Sequence, residues 1–154
     1  MTEAELDAKL AELGLTLPAA AAPVAAYVPV VEAGGMAFVS GQLPFIDGQL
    51  VTGRLGDDVS EEAGYAAARA CGLMLVAQLR AAGLIGRIER VVKLGAFVNS
   101  TDDFTMQPKV ANGASDLMVA LFGDAGKHAR SAVGVPALPL GAAVEVDAIV
   151  ALGA

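Results

Sequence analysis

Two charged residues stand inside apolar segments near the end of the 154-residue chain. Arg130 lies in Ala-Arg-Ser-Ala-Val-Gly-Val, and Glu145 lies in Ala-Ala-Val-Glu-Val-Asp-Ala-Ile-Val. Charged side chains are seldom buried in strands unless they are paired or bind a ligand. An arginine fork can hold a substrate carboxylate, and a glutamate beside it can position or deprotonate water. The alternative interpretation is a structural Arg–Glu ion pair.

The two apolar segments are predicted to form a hairpin around the turn at 136–141. Cross-strand partners in a hairpin lie symmetrically about the centre of its turn. The midpoint between positions 130 and 145 falls between Ala137 and Leu138, in the middle of that turn. We therefore expect Arg130 and Glu145 to be cross-strand neighbours.

The single histidine and the single cysteine restrict the chemistry that the chain can carry. One of each excludes multi-histidine metal motifs, CxxC sites and disulfide frameworks, so we expect no metal and no cofactor. His128 precedes Arg130 by two residues and could act as a general base, although a histidine at a strand entrance is more often a bystander. Cys71 lies among Ala and Leu in a predicted helix, which favours a core position over a nucleophile.

Two further places could bind a ligand. Ser40 and Gly41 close a predicted strand and could present a hydroxyl and backbone N–H groups, although an ordinary strand end is the simpler interpretation. Asn112 lies early in a predicted helix, where an asparagine is usually a cap or marks a kink. Motifs for phosphate, dinucleotide or serine-hydrolase chemistry do not occur in the sequence.

Composition indicates a soluble, cytoplasmic protein that associates with copies of itself. Hydrophobic residues make up 55% of the chain, which excludes disorder and leaves apolar surface for self-association. The net charge of −7 repels phosphate backbones, so we expect no nucleic-acid partner. The longest uncharged run, at 13–31, contains three prolines and is not expected to form a membrane helix.

The pattern of apolar residues and turn signals predicts an α+β fold. A capping box at Thr2 and Glu5 begins a short helix, and residues 1–22 are expected to be this helix plus an extended connector. A single domain is expected over 23–154, with one mixed sheet and two helices packed on one of its faces, in the order α-βββ-α-β-α-ββ. The elements predicted there are strands at 27–32, 36–40, near 49–52, at 88–99, 129–135 and 142–151, and helices from Asp58 or Ser60 to Ala82 and from Pro108 to Phe122.

These segments, in this order, resemble the RidA/YjgF family of reactive-intermediate deaminases, also called endoribonuclease L-PSP-like proteins. The residues that carry the resemblance are Tyr27, Phe38-Val39-Ser40-Gly41-Gln42-Leu43-Pro44, the run 91–99 with Asp103-Phe104, Ala129-Arg130-Ser131-Ala132, and Val144-Glu145-Val146-Asp147-Ala148-Ile149. The resemblance covers the chain from about Pro23 to its end.

The resemblance implies a chorismate-mutase-like fold assembled as a homotrimer with ligand sites between subunits. It implies cofactor-free hydrolysis of enamines and imines, such as 2-aminoacrylate, to 2-keto acids and ammonia. The family's carboxylate-binding arginine falls on Arg130 and its water-positioning glutamate on Glu145, without a gap between them. Its site tyrosine falls on Tyr27, and its site serine on Ser40, with Gly41 following.

Three departures mark a divergent branch. Ala132 stands where many members have a cysteine. The family's site asparagine has no ungapped match, so Asn112 is the first choice and Ser115 the second. The N-terminal helix and the longer segment at 105–115 are the third departure, and the physiological substrate stays open.

Two other functions are alternatives to the deaminase. A trimeric module could use Arg130 to hold a keto acid without turning it over. Ribonuclease activity is disfavoured by the net charge of −7 and by the lack of a basic patch.

Overall fold

The computed structural model of the protein describes residues 1–22 and 26–154, and its centre is a mixed sheet of five strands in the order β1-β2-β7-β5-β6. Strands β5 and β6 are parallel, and the other neighbours are antiparallel. A separate hairpin, β3-β4, turns at Asp47-Gly48. The strands are β1 (Val30–Ala33), β2 (Met36–Gln42), β3 (Phe45–Ile46), β4 (Gln49–Leu50), β5 (Ile88–Asn99), β6 (Ala129–Val135) and β7 (Val144–Leu152).

The described part of the chain also contains the α-helices α1 (Glu3–Glu12), α2 (Glu61–Ala81) and α3 (Gln107–Phe122). The predicted capping box at Thr2 begins α1, and the Ser60 hydroxyl accepts from the backbone N–H of Ala63 to cap α2. Helices α2 and α3 pack against each other and on one face of the sheet, as predicted. Among the described residues, no helix combines the length and the apolar character needed to cross a membrane.

Small residues allow α2 and α3 to approach closely. A Cβ added at Gly113 of α3 would collide with the backbone carbonyl of Tyr65 in α2. A Cβ added at Gly72 of α2 would lie 2.9 Å from a methyl carbon of Leu117 in α3. These contacts leave no room for larger side chains, so the two helices have a fixed spacing above the sheet.

The N-terminal helix contributes to the main core. Leu6 is fully buried and Leu10 nearly so, and both belong to the same apolar cluster as the residues of the sheet and of α2. On the outer side, Arg80 of α2 pairs with Glu3 at 2.9 Å and with Asp7. Residues 23–25, with which the predicted domain starts, lie outside the described part of the chain.

The predicted hairpin between the last two strands is wrong. Strand β7 lies between β2 and β5, and β6 pairs with the other edge of β5. Arg130 is therefore opposite Leu94, whereas Glu145 is opposite Phe97. Arg130 and Glu145 are not cross-strand partners because the connection at 136–143 carries the chain past the end of β5 instead of turning back beside β6.

The first strands also differ from the predicted ones. The strand expected at 27–32 begins at Val30, one residue after Pro29, and runs to Ala33. Phe45–Ile46 forms a strand that the pattern did not predict, so four of the described strands precede α2 where three were expected. The β5 and β6 bounds agree with the predicted ones, and β7 begins two residues later than expected.

Candidate functional site

Arg130 lies on the edge strand β6, on the side of the sheet that α3 covers. Its strand partner Leu94 is almost completely buried on that side. The Nη1 atom of Arg130 donates to Oδ1 of Asn112 at 2.8 Å and to Oγ of Ser115 at 3.1 Å. Both residues proposed for the helix position of the site therefore contact the same guanidinium nitrogen.

These two hydrogen bonds define which part of the guanidinium can take a ligand. Nη1 carries two hydrogens, and Asn112 and Ser115 accept one each. Nη2 makes only a long bond of 3.4 Å to the carbonyl of Pro108. Within residues 1–22 and 26–154, no carboxylate forms an ion pair with Arg130. The edge formed by Nε and Nη2 can therefore accept a carboxylate in a bidentate arrangement.

His128 joins this cluster through Ser115. The Oγ of Ser115 lies 2.8 Å from Nε2 of His128, and Nδ1 of His128 lies 2.6 Å from the carbonyl oxygen of Gly126. His128, for which a bystander was the favoured interpretation and a general base the alternative, is thus linked to Arg130 through Ser115.

Glu145 lies on the other face of the sheet, which none of the described helices covers. Along β7 the even-numbered residues are buried under the helices, and the odd-numbered ones, including Glu145 and Asp147, lie on the open face. A Cβ added at Gly41 would lie 2.9 Å from Cδ and Oε2 of Glu145, so the carboxyl group rests against the β2 backbone. The pairing of β2 with β7 shifts register between Val39 and Gln42, and this bulge brings Gly41 to the carboxyl group.

The environment of Glu145 favours its protonated form. Burial raises the pKa of Glu145, and the negative charge of Asp147 raises it further. Burial also raises the pKa of Asp147, against the opposing effects of the Gly95 N–H and of Lys93. Asp147 was not predicted as a site residue, although its spacing of two from Glu145 in a strand indicates the same face.

Two of the remaining predicted ligand contacts, Ser40 and Gly41, lie beside Glu145. The Ser40 hydroxyl donates to the carbonyl of Val28 at 3.1 Å, and Tyr27 precedes Val28 in the chain. Tyr27 is 50% exposed. Gly41 and Glu145 are thus brought together with Ser40 next to them in β2, whereas Arg130 and Asn112 form a separate group.

The two groups do not meet within one chain. Strand β5 separates β6 from β7, and Arg130 and Glu145 are on opposite faces. Strand spacing and rise place their Cα atoms roughly 10 Å apart across the sheet and roughly 10 Å apart along it. The structural Arg–Glu ion pair considered above is therefore ruled out within a single chain.

The open face that carries Glu145 and Asp147 also carries exposed apolar side chains. Four of its large side chains are at least 38% exposed: Val31, Met36, Phe38 and Val133. Exposed apolar residues that adjoin one another on one side of a sheet are typical of a surface that another protein chain covers.

Two other features lie apart from these groups. Cys71 is fully buried, its Sγ lies 3.7 Å from the Val144 carbonyl, and burial raises the pKa of its thiol well above the ordinary value. Its environment agrees with the predicted core position. A cavity of about 670 Å³ lies between the connector, the β3-β4 hairpin and α2, and none of the predicted site residues lines it.

Comparison with known proteins places these observations in context. Residues 7–152 match a protein family described as "YjgF/chorismate mutase-like, putative endoribonuclease". The chain is 56% identical to protein TCP17 of Trypanosoma cruzi over 148 residues, which are 94% of this chain and 92% of the relative.

Solved structures share the fold. The crystal structure of Atu1372 from Agrobacterium tumefaciens, a protein of unknown function, has a TM-score of 0.90 at 44% identity, covering 97% of this chain and 93% of that one. The crystal structure of TdcF from E. coli with bound serine has a TM-score of 0.59 at 26% identity, covering 88% and 92% of the two chains.

Proposed function

The chain belongs to the YjgF/RidA family, and from that premise we propose that it is a cofactor-free enamine/imine deaminase. The substrates proposed are small 2-imino acids, which are hydrolysed to 2-keto acids and ammonia. The observation that carries the proposal is the state of Arg130, whose Nη1 is held by Asn112 and Ser115 while the Nε/Nη2 edge faces no carboxylate in the described chain.

The chemistry needs few groups. The carboxylate of a 2-iminium acid binds the free edge of Arg130, which fixes the plane of the substrate. Water adds to the electrophilic carbon of the C=N bond while a glutamate accepts a proton from the water. The same glutamate returns that proton to the nitrogen and then accepts the proton of the new hydroxyl group as the C–N bond breaks, so that the carbonyl forms and ammonia leaves. The glutamate afterwards releases this proton to solvent. A carboxyl group whose pKa is raised, as at Glu145, suits these proton transfers.

We further propose that each site is formed between subunits of a homotrimer. Arg130 and Glu145 lie on opposite faces of one sheet, so a site that contains both needs Glu145 from a second copy. The exposed apolar residues of the open face support such an assembly, because a second copy would cover the surface around Glu145.

The experiment that tests the function is an imine-hydrolysis assay. An amino-acid oxidase generates 2-imino acids from a panel of amino acids, and semicarbazide traps what the protein does not remove. Wild type should accelerate imine loss, and Arg130→Ala should abolish the acceleration. No acceleration by wild type on any member of the panel would reject the deaminase.

A second candidate is a binding module for small carboxylates without turnover. The observation that favours it is the serine bound in the related TdcF structure. The two candidates differ at Glu145. For a deaminase, Glu145→Gln should remove turnover and spare the binding of a 2-keto acid, whereas a binding module shows no turnover even in wild type.

A further inference from the structure

We propose that Ser115 and His128 are positioning residues that hold Arg130 in the orientation in which it binds a carboxylate. The proposal deepens the function proposed above and rests on it for the identity of the ligand. The geometry that points to it is a chain of hydrogen bonds across three elements: β6, α3 and the 3₁₀ helix Gly123–Gly126.

The direction of each hydrogen bond follows from the groups involved. The Gly126 carbonyl can only accept, so Nδ1 of His128 donates to it. In the neutral imidazole Nε2 is then an acceptor, and the Ser115 hydroxyl donates its proton to it. Arginine can only donate, so Nη1 of Arg130 directs a hydrogen at a lone pair of Ser115.

The tautomer of His128 therefore determines what Ser115 offers to Arg130. Across the described chain, Nε2 of His128 is the one acceptor within hydrogen-bond distance of Ser115 Oγ. Without the Nε2 acceptor, the Ser115 hydroxyl proton has no partner and can rotate toward Arg130. The Ser115 O–H and the Arg130 N–H would then be two donors that face each other. His128 thus keeps the Ser115 oxygen available as an acceptor.

Packing fixes the carbonyl at the start of this chain. Gly126 is buried, and a Cβ added there would collide with the Met118 carbonyl of α3. The close approach sets the position of the Gly126 carbonyl relative to α3, which also carries Ser115. His128 is therefore oriented by backbone and not by a flexible side chain.

The consequence for Arg130 is a site that is organised before the ligand arrives. An arginine side chain has many rotamers, and fixing it on binding costs affinity. Asn112 and Ser115 together occupy both hydrogens of Nη1, which fixes the guanidinium plane and leaves the Nε/Nη2 edge for the ligand. Asn112 provides one of these acceptors directly, whereas Ser115 depends on His128.

The sole histidine allows a direct spectroscopic test. In ¹⁵N–¹H correlation spectra of the imidazole at neutral pH, wild type without ligand should show one tautomer, with Nδ1 protonated and Nε2 unprotonated. An Nε2–H tautomer, or the exchanging mixture of a free imidazole, would overturn the proposal.

Variants test whether this arrangement acts on Arg130. Guanidinium ¹⁵N spectra, with the Arg130 signal assigned through Arg130→Lys, report rotation about its Nε–Cζ bond. Rotation should be slow in wild type and faster in Ser115→Ala and His128→Ala. In Ser115→Thr rotation should be as slow as in wild type, because threonine keeps the hydroxyl. The matched control is Tyr65→Phe, which removes another hydroxyl hydrogen bond to α3, at 2.7 Å to Asp116, and should change nothing.

Ligand binding provides the second readout, with 2-oxobutanoate as the probe. Ser115→Ala and His128→Ala should raise its dissociation constant about tenfold, the loss of one hydrogen bond to a charged group. In turnover they should raise KM by a similar factor and leave kcat within about twofold. An unchanged dissociation constant together with unchanged Arg130 rotation would overturn the positioning role.

The outcomes separate this proposal from the proposed function. Slow Arg130 rotation that depends on His128, in a protein without imine hydrolysis, would uphold the positioning and reject the deaminase. If imine hydrolysis requires Arg130 but Ser115→Ala leaves KM unchanged, the deaminase is upheld and the positioning role is rejected.

Discussion

Arg130 and Glu145 lie on opposite faces of one sheet, with β5 between their strands. Arg130 is held by α3 on the covered face, and Glu145 rests against Gly41 on the open face. A ligand that contacts both residues must lie between two copies of the chain. This relationship connects the proposed activity to the proposed assembly, so that evidence for either one bears on the other.

Gly41 is expected to control the position of the Glu145 carboxyl group. In Gly41→Ala, the new Cβ would lie 2.9 Å from Cδ and Oε2 of Glu145, so this flexible side chain must move. We expect turnover to fall roughly 10- to 100-fold, because a displacement of about 1 Å in an active site has effects of that size. The imine assay measures the change.

Gly86→Ala is the matched control for this substitution, because nothing lies within 4 Å of a Cβ at Gly86. The control should retain wild-type turnover and circular dichroism. Equal turnover in Gly41→Ala and Gly86→Ala would contradict the placement of Glu145 in the site.

The charge of Asp147 is expected to destabilise the protein at neutral pH. The pKa of Asp147 is raised above its ordinary value of 3.8, chiefly by burial. A carboxyl group with a raised pKa contributes stability below its ordinary pKa, and this contribution is lost as the pH rises through the raised value. Asp147→Asn should therefore raise Tm by about 2 °C at pH 7 and leave it unchanged at about pH 3.

Differential scanning calorimetry across this pH range checks the prediction. Asp102→Asn is a suitable control, because Asp102 lies in an exposed turn. A lower Tm for Asp147→Asn at pH 7 would contradict the prediction, because it would mean that the ionised carboxylate of Asp147 stabilises the folded protein through a partner.

Contact between α2 and α3 is expected to depend on Gly113. The Cβ of Gly113→Ala would collide with the Tyr65 carbonyl, and backbone cannot move aside as a side chain can. We expect the free energy of unfolding to fall by about 2–3 kcal/mol, as for other overpacked cores. Urea denaturation measures this loss, and a change within about 0.5 kcal/mol would show that the helices can separate without cost.

The open face is expected to be the surface that joins the subunits. Phe38 is 43% exposed there, and Phe38→Asp should place a charge in the interface. Sedimentation of wild type should give three times the chain mass of 15.4 kDa, and the variant should shift to a single chain. Val119→Asp on α3, where Val119 is 39% exposed, should remain trimeric.

A single-chain mass for wild type at micromolar concentration would reject the intersubunit site, because such a site requires the interface. Trimers of Phe38→Asp would show instead that another surface joins the subunits.

Local sequence signals were sufficient for most elements. The Thr2 capping box, the Ser60 cap and the consecutive apolar residues within β5 predicted helices and strands within a few residues of their observed bounds. These signals succeed because each depends on residues within one element. The two-residue strand β3 was not predicted, since two residues carry no periodic pattern.

Long-range pairing was the part that the sequence could not provide. The hairpin prediction for Arg130 and Glu145 used only the distance of each residue from a turn, whereas β7 is inserted between β2 and β5. The alternation that identifies the two faces of β7 was readable, but nothing local specifies which neighbour a central strand takes. The link from Ser115 to His128 likewise depends on the packing of α3 against the segment that leads into β6.

Mixing two inactive variants tests the central claim most directly. Arg130→Ala and Glu145→Gln should each lack turnover in the imine assay as homotrimers. If every site takes Arg130 from one chain and Glu145 from another, trimers reassembled from an equal mixture should recover about one quarter of wild-type turnover, since that share of sites is intact by chance. A site shared between subunits would be contradicted if the reassembled mixture recovered no turnover although both variants are folded and trimeric.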